Sequence, residues 1–441
     1  MLSPRNRELL GLLPAALLVT AGFAAIFLQA ERTSPGASTN VTLNHASSAS
    51  LTYGAAFLAL CVVGHLVIRY ALPDADPYLF PLGAVLASVG IVMVYRINPM
   101  LARQQAQWMV VGLALFAATI LLLRKRGVGV LERYRYTIAA VGIGITVLPR
   151  LPGIGGEVNG AYLNVHFGSI SFQPAELAKI AVVVFLASYL RDNRQILVTA
   201  GRRVLGVTFP PMKQFGPMLV VWGASMGTLL LTRELGTSLM FYGAFLALLY
   251  VATGRLSFPL IGLLLFALGA WFLAVHVSHV HARVLAWEHP FDESLYKANG
   301  GSYQLAQSLF AQADGGLLGT GFDQSLLKLL PIPESDMIYA VITNELGLAG
   351  AAALLATYLL FVARGLKVAM LARDSFSKLL AVGLSFTVAM QVFVIVGGVT
   401  RVIPLTGVTL PFVAYGGSSV AMNFVLLALL LVISDRARRA G

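Results

Sequence analysis

Long uninterrupted apolar runs dominate the chain. They fall at 9–30, 52–71, 78–96, 105–123, 134–149, 174–190, 215–232, 235–253, 257–276, 337–363, 378–399 and 408–433. A helix needs about 20 apolar residues to cross a hydrocarbon core of about 30 Å. The pattern therefore predicts twelve membrane-spanning helices, of which 134–149 is the shortest and 215–232 and 235–253 are nearly fused. A membrane β-barrel would instead show segments of about ten residues with alternating polarity. The first run is too long for a cleaved signal peptide and lacks its small-residue cleavage site.

Composition agrees with this pattern. Of 441 residues, 58% are apolar and 11% charged, against about 45–50% and about 25% in soluble domains. That excludes an ordinary soluble enzyme, a disordered chain and a fibrous one. The lone cysteine, Cys61, allows no disulfide framework. The net charge of +12 is explained by topology. With a cytoplasmic N-terminus, 21 of the 31 Lys and Arg residues fall in inside segments and nine outside, which is the positive-inside bias. No nucleic-acid partner is needed. The fold expected is an all-α polytopic bundle of about twelve spans with both termini cytoplasmic. Residues 1–134 form N-terminal spans, and 135–441 form a core carrying the long outer segment 277–336. That segment holds Trp287, Phe291, Tyr303 and Phe310, too apolar for a disordered linker. It is expected to be an ordered lid or re-entrant element.

Ionisable groups within hydrocarbon are costly and mark function. Gln173-Pro174-Ala175-Glu176-Leu177-Ala178-Lys179 opens the sixth span. Pro suits a first helical turn, and Glu176 and Lys179, three residues apart, share a face. They form either a self-neutralising pin between helices or a polar wall of a substrate cavity. Thr232-Arg233-Glu234-Leu235-Gly236-Thr237 is either a solvated turn or a broken helix lining a cavity. Asp336 and Glu345 flank the start of the tenth span, and Glu345 lies about two turns inside it. His276, His279 and His281 match no specific metal motif. The stretch 315–321, GGLLGTG, lacks the Lys-Ser/Thr ending of a phosphate loop, although glycine backbones can still close over a pyrophosphate. Phe412 to Ser419 is expected early in the last span, after an irregular entry at Pro404, Gly407 and Pro411.

Taken in order, these stretches resemble the shape, elongation, division and sporulation (SEDS) family of bacterial membrane proteins. The matching residues are QPAELAK at 173–179, ELGTS at 234–238, YQLAQS at 303–308 and GGLLGTG at 315–321. SDMIYA at 335–340, ELG at 345–347 and TGVTLPFVAYGGSS at 406–419 follow. The resemblance covers 135–433. It implies a ten-span core, here with two additional N-terminal spans, in the bacterial cytoplasmic membrane. It further implies a peptidoglycan glycosyltransferase that polymerises lipid II, an undecaprenyl-pyrophosphate disaccharide-pentapeptide, at the extracytoplasmic face. The implied partner is a class B penicillin-binding protein, and the role is in cell shape, elongation or division.

The family's catalytic Asp lies in the long outer loop within an Asn-Pro-x-x-Asp pattern. The counterpart here is His289-Pro290-Phe291-Asp292-Glu293. Residue identity favours Asp292, while spacing from the proline favours Glu293 as the alternative. Gln173, Glu176, Lys179, Arg233, Glu234, Tyr303, Gln304, Asp336, Glu345 and Ser418 are the expected substrate-binding residues. The chain departs from the family at Tyr162 and Asn164 (usually Arg and Trp), Asn344 (Glu), Ala414 (Ser) and Glu234 (Asp).

Sugar transfer from a lipid pyrophosphate needs a base for the acceptor hydroxyl. A carboxylate serves if partial burial raises its pKa. It also needs positive charge for the leaving group, from Lys179, Arg233, Arg283 or a Mg²⁺ or Mn²⁺ ion; no residues are assigned as metal ligands. One carboxylate and a good leaving group suffice for inversion by single displacement, giving a β-linked glycan. The alternatives are a lipid II flippase or transporter and an inert scaffold for a penicillin-binding protein. Polar motifs concentrated on one face favour the enzyme over a transporter, whose site would sit near the midplane.

Overall fold

The structure is a computed structural model. It describes residues 3–439 except 33–38, 157–161, 168–169, 200–201, 205–206, most of 210–233, 299–300 and 323–328. The predicted span 215–232 lies largely outside the described residues, as does Arg233.

The chain begins with α1 (Pro4–Gly11), α2 (Leu13–Arg32), α3 (Thr39–Ala71), α4 (Leu79–Ile97) and α5 (Pro99–Arg126). The α4–α5 corner follows from sequence. Pro99 occupies the first turn of α5, and the Asn98 side chain accepts from the Met100 and Leu101 amides at 2.9 and 3.4 Å, a helix-start arrangement. Next come α6 (Gly129–Arg133), α7 (Arg135–Ile145), the strands β1 (Val165–Phe167) and β2 (Ile170–Phe172), and α8 (Pro174–Thr199). The strands β3 (Arg202–Val204) and β4 (Val207–Phe209) precede α9 (Leu235–Thr253) and α10 (Ser257–His276). Two short antiparallel hairpins, β1–β2 and β3–β4, are the only sheet among the described residues. The long segment folds as α11 (Ser278–Glu288), α12 (Glu293–Lys297) and α13 (Tyr303–Gly315). The chain closes with α14 (Ile338–Leu371), α15 (Ser375–Val399) and α16 (Gly417–Arg439).

Among the described residues, nine helices are long and apolar enough to cross a membrane. The run at 134–149 gives only the eleven-residue α7 and a short 3-10 turn, Leu148–Arg150. The helix α8 has the length of a span but carries Glu176, Lys179, Arg191, Asp192 and Arg194. The last span starts later than the apolar pattern suggested. Residues 401–416 form no helix, and α16 starts at Gly417. Pro404 and Pro411 lack the amide a helix needs there, and Leu410, Phe412, Val413 and Ala414 are buried as irregular chain.

Both termini meet at one face of the bundle. Arg5 donates to the Ala75 carbonyl, and Arg438 reaches the buried Asp76 at 2.6 Å. Arg364, late in α14, joins Asp76 at 3.2 Å. The start of α14 and the long segment before it therefore lie at the opposite face. The helices α4 and α5, though N-terminal, pack into the C-terminal core. Gln105 donates to the Ala414 carbonyl at 3.1 Å, and Tyr415 to Gln104 at 2.5 Å. By contrast α10 buries only Phe258 and Gly262. Most of its other Leu, Phe and Trp side chains, Leu260, Leu264, Trp271 and Phe272 among them, face outward, as suits a surface bathed in lipid.

Candidate active site at the long-loop face

Five of the expected residues converge where α8, α9 and α16 begin. Gln173, just before α8, donates its side-chain amide to Glu234 at 2.7 Å and its backbone amide to the Ser418 hydroxyl at 3.1 Å. Thr237 donates to the same Glu234 oxygen at 2.6 Å. One turn into α8, the Lys179 ammonium meets Glu176 at 2.5 Å. It also donates to Gln391 on α15 at 3.1 Å and to Asn423 on α16 at 3.2 Å. The ammonium is thus held between groups on α8, α15 and α16. This geometry favours the pin over the polar wall. Gln391 donates onward to the Thr409 carbonyl at 2.7 Å, and the Thr409 hydroxyl to Ser419 at 3.0 Å. Gln391 and Asn423 were not singled out from sequence, whereas Thr409 and Ser419 belong to the 406–419 stretch already noted. The available signal was a lone Gln or Asn inside a long apolar run.

Glu234 is 6% exposed. Burial pushes its carboxyl up to about 7, opposed by the Thr237 and Gln173 hydrogen bonds.

The remaining expected residues occupy other places. Glu345 is buried and pairs with Arg96 of α4 at 3.1 Å. Two residues on, α14 breaks at Gly347, whose φ is 69°. The GGLLGTG stretch docks on that break. Thr320 and Gly321 donate backbone amides to the carbonyls of Asn344 (2.9 Å) and Glu345 (3.1 Å), and Leu348 donates to Gly316 at 3.0 Å. A Cβ on Gly319 would lie 2.1 Å from the Glu345 carbonyl oxygen, and one on Gly347 2.5 Å from that of Leu317. The glycines allow close backbone approach at a helix break, and these amides are committed to protein rather than to a phosphate. Asn344 fits here as a neutral amide. It donates to the Ala311 carbonyl at 2.7 Å, which an ionised Glu could not do.

Asp336, just before α14, accepts from the Ser335 hydroxyl at 3.0 Å and lies against Gly407. Burial pushes its carboxyl up, opposed by the Ser335 bond and the nearby Arg283 charge. Arg283 of α11 donates to the Thr406 carbonyl at 3.2 Å. The irregular stretch 405–409 thus links Arg283 and Asp336 to the Glu234 cluster. Of the departures, Tyr162 stacks under Arg150 at 5.0 Å. Ala414 is buried and presents its carbonyl to Gln105. Nothing in the structure explains Asn164.

Asp292 departs from the raised pKa expected of it. It is exposed and caps α12, accepting from the Ser294 and Leu295 amides at 2.9 and 3.2 Å and from the Ser294 hydroxyl at 2.5 Å. These bonds hold its pKa below the usual carboxylate value. Glu293 is also exposed and pairs with Lys297 at 2.5 Å. Tyr303 packs edge-on against Tyr296 with centroids 5.0 Å apart. Gln304, next to it, keeps a buried Nε2 without a hydrogen-bond partner among the described residues.

No three His, Cys, Asp or Glu side chains among the described residues converge as a metal site. His276 and His281 direct Nδ1 to the Phe272 and Ala274 carbonyls instead.

The sequence profile of a cell cycle protein family, FtsW/RodA/SpoVE, matches residues 78–439. The chain belongs to this family. The match reaches back to α4 and α5, consistent with their packing into the core. The chain is 39% identical to the peptidoglycan glycosyltransferase RodA of Mycobacterium tuberculosis, over 99% of this chain and 91% of that protein. It is 32% identical to the stage V sporulation protein E of Bacillus subtilis, over 67% and 77% respectively. A chain from a structure described as "Structural coordination of polymerization and crosslinking by a peptidoglycan synthase complex" superposes with a TM-score of 0.67. It is 25% identical, covering 83% of this chain and 99% of that one. The rod shape determining protein RodA of Thermus thermophilus shares the fold, with a TM-score of 0.58 and 24% identity over 82% and 97%. The chain is a multi-pass α-helical membrane protein of the RodA-like SEDS type.

Proposed function

We propose that the chain is a peptidoglycan glycosyltransferase that polymerises lipid II at the extracytoplasmic face of the bacterial cytoplasmic membrane. The observation that carries this reading is the 39% identity, over nearly the whole chain, to proteins named for that activity. The buried polar cluster around Glu234, at the face carrying the long segment, supports it.

In this reading Asp292 takes the proton from the acceptor sugar hydroxyl as that oxygen attacks the donor's anomeric carbon. The C–O bond to the pyrophosphate breaks, the lipid pyrophosphate leaves, and the configuration inverts. Its low pKa keeps Asp292 ionised at working pH. Closure of substrate over the exposed α12 cap supplies the desolvation that strengthens it as a base. Arg283 and Arg233 are assigned to the leaving-group charge. Glu176 and Lys179 hold α8, α15 and α16 together beneath the site. The partner is a class B penicillin-binding protein that cross-links the product.

The test supplies purified protein with lipid II and its transpeptidase partner and resolves glycan polymer on gels. Polymer from wild type and none from Asp292→Ala is expected. Equal polymer from both removes Asp292 as the base. Lipid II crossing liposome bilayers without polymerising overturns the reading in favour of a flippase.

A further inference from the structure

Arg401 follows α15 with a φ of 62°, a left-handed conformation that favours glycine. A side chain kept at such a position is a pointer to function, and here it has defined work. Its Nε donates to the Trp287 carbonyl at 2.9 Å and its Nη2 to the Glu288 carbonyl at 2.8 Å. Trp287 returns a bond, with its indole N–H donating to the Arg401 carbonyl at 3.0 Å. Trp287 and Glu288 end α11, and Asp292 caps α12 only four residues after Glu288. The last carbonyls of a helix lack partners within it, and a guanidinium satisfies two at once in a fixed fork. Trp287, Glu288 and Arg401, with His289, Leu309 and Thr400, also line an open groove of about 770 Å³. Neighbouring anchors hold the far side of the segment. Ser308 and Gln312 of α13 both donate to the Val399 carbonyl at 3.0 Å, and Phe291 stacks on Phe310 with centroids 5.4 Å apart.

The geometry points to Arg401 as a positioning residue for the transfer reaction: it locks the C-terminus of α11 to the α15–α16 connection and so fixes where the Asp292 turn, four residues further on, stands. The inference rests on the proposed glycosyltransferase reading for its catalytic consequence, but not for the clamp itself.

Glycine separates positioning from folding, because Arg401→Gly removes the clamp while suiting the backbone. The purified full-length protein is compared as wild type, Arg401→Gly and Arg401→Lys in two measurements. Hydrogen exchange over residues 287–297 is expected to quicken in Arg401→Gly, with the melting temperature equal to or above wild type. Lipid II polymerisation with the partner present is expected to lose about tenfold to a hundredfold in kcat with little change in KM, since small misplacement of a reacting group has that effect. Arg401→Lys, with one point-like donor group, should fall between. Unchanged exchange in Arg401→Gly overturns the clamp. Quickened exchange with unchanged kcat overturns its catalytic role. A wild type that makes no polymer sinks the function reading instead, and exchange alone then decides the clamp.

Discussion

The Glu176 carboxylate and the Lys179 ammonium meet at 2.5 Å on one face of α8, and both residues are almost wholly removed from solvent. Gln391 and Asn423 complete the lysine's shell from two other helices. A buried charge left without its partner costs about 3–5 kcal/mol, whereas replacing both partners by apolar groups is often neutral. Lys179→Met and Glu176→Gln should each lower the melting temperature in detergent, and the double variant should recover much of the loss. A thermal scan of the three variants checks this. A Lys179→Met protein as stable as wild type would remove the pin.

Glu234 gives stability a pH dependence of definite sign. Its carboxyl titrates at about 7 in the folded chain, against an ordinary value of 4.5. Within that window the folded state holds the extra proton. The contribution is full below the ordinary value and is lost as pH rises through about 7, on the order of 3 kcal/mol in total. Melting temperature should therefore fall between about pH 5 and about pH 8. Glu234→Gln, which cannot titrate but keeps an acceptor for Thr237 and Gln173, should flatten that fall.

Much of this arrangement is legible from sequence because one constraint dominates. Apolar runs must become helices when no water is present to satisfy the backbone, so most helix positions follow directly. The QPAELAK, ELGTS and GGSS stretches are informative for the same reason, since polar groups there must find one another. Proline-broken chain is harder to place. Residues 408–416 read as the start of a span because Val408, Leu410, Phe412 and Val413 are apolar, yet these side chains are buried by protein rather than lipid. Long-range partners leave no periodic trace. Nothing near Glu345 in the sequence names Arg96, and nothing near Trp287 names Arg401. The raised pKa expected for Asp292 failed on local geometry, because an Asp immediately before a short helix is a ready-made cap.

The break in α14 makes Gly347 and Gly319 the sensitive points of the GGLLGTG docking. Gly347→Ala meets both an unfavourable φ and the Leu317 carbonyl, and Gly319→Ala meets the Glu345 carbonyl. Each should cost about 1–3 kcal/mol or more. Each should also expose residues 315–321 to added protease before the helical bundle melts. Digestion mapped by mass spectrometry checks the order. Simultaneous loss of loop and bundle would mean that the docking is not a separable element.

Asp292 caps α12 and is the proposed base, and the two roles can be pulled apart. As the cap of α12 it uses one oxygen, Oδ1, to accept the Ser294 and Leu295 amides. Asparagine caps helices as well as aspartate does, so Asp292→Asn should keep the melting temperature and the exchange pattern of α12 while losing about 10²–10⁴ in rate, the usual worth of a general base. Glu293, exposed and paired with Lys297 at 2.5 Å, belongs to a surface pair worth about 0–1 kcal/mol, and Glu293→Gln should leave both stability and polymerisation close to wild type. The pH profile supplies an independent check. Because hydrogen bonding holds the Asp292 carboxyl below the ordinary 3.8, kcat/KM should show no acid limb from this group down to about pH 5. Full activity in Asp292→Asn together with loss in Glu293→Gln would transfer the base to Glu293 and show that distance from Pro290, rather than residue type, identifies the catalytic position.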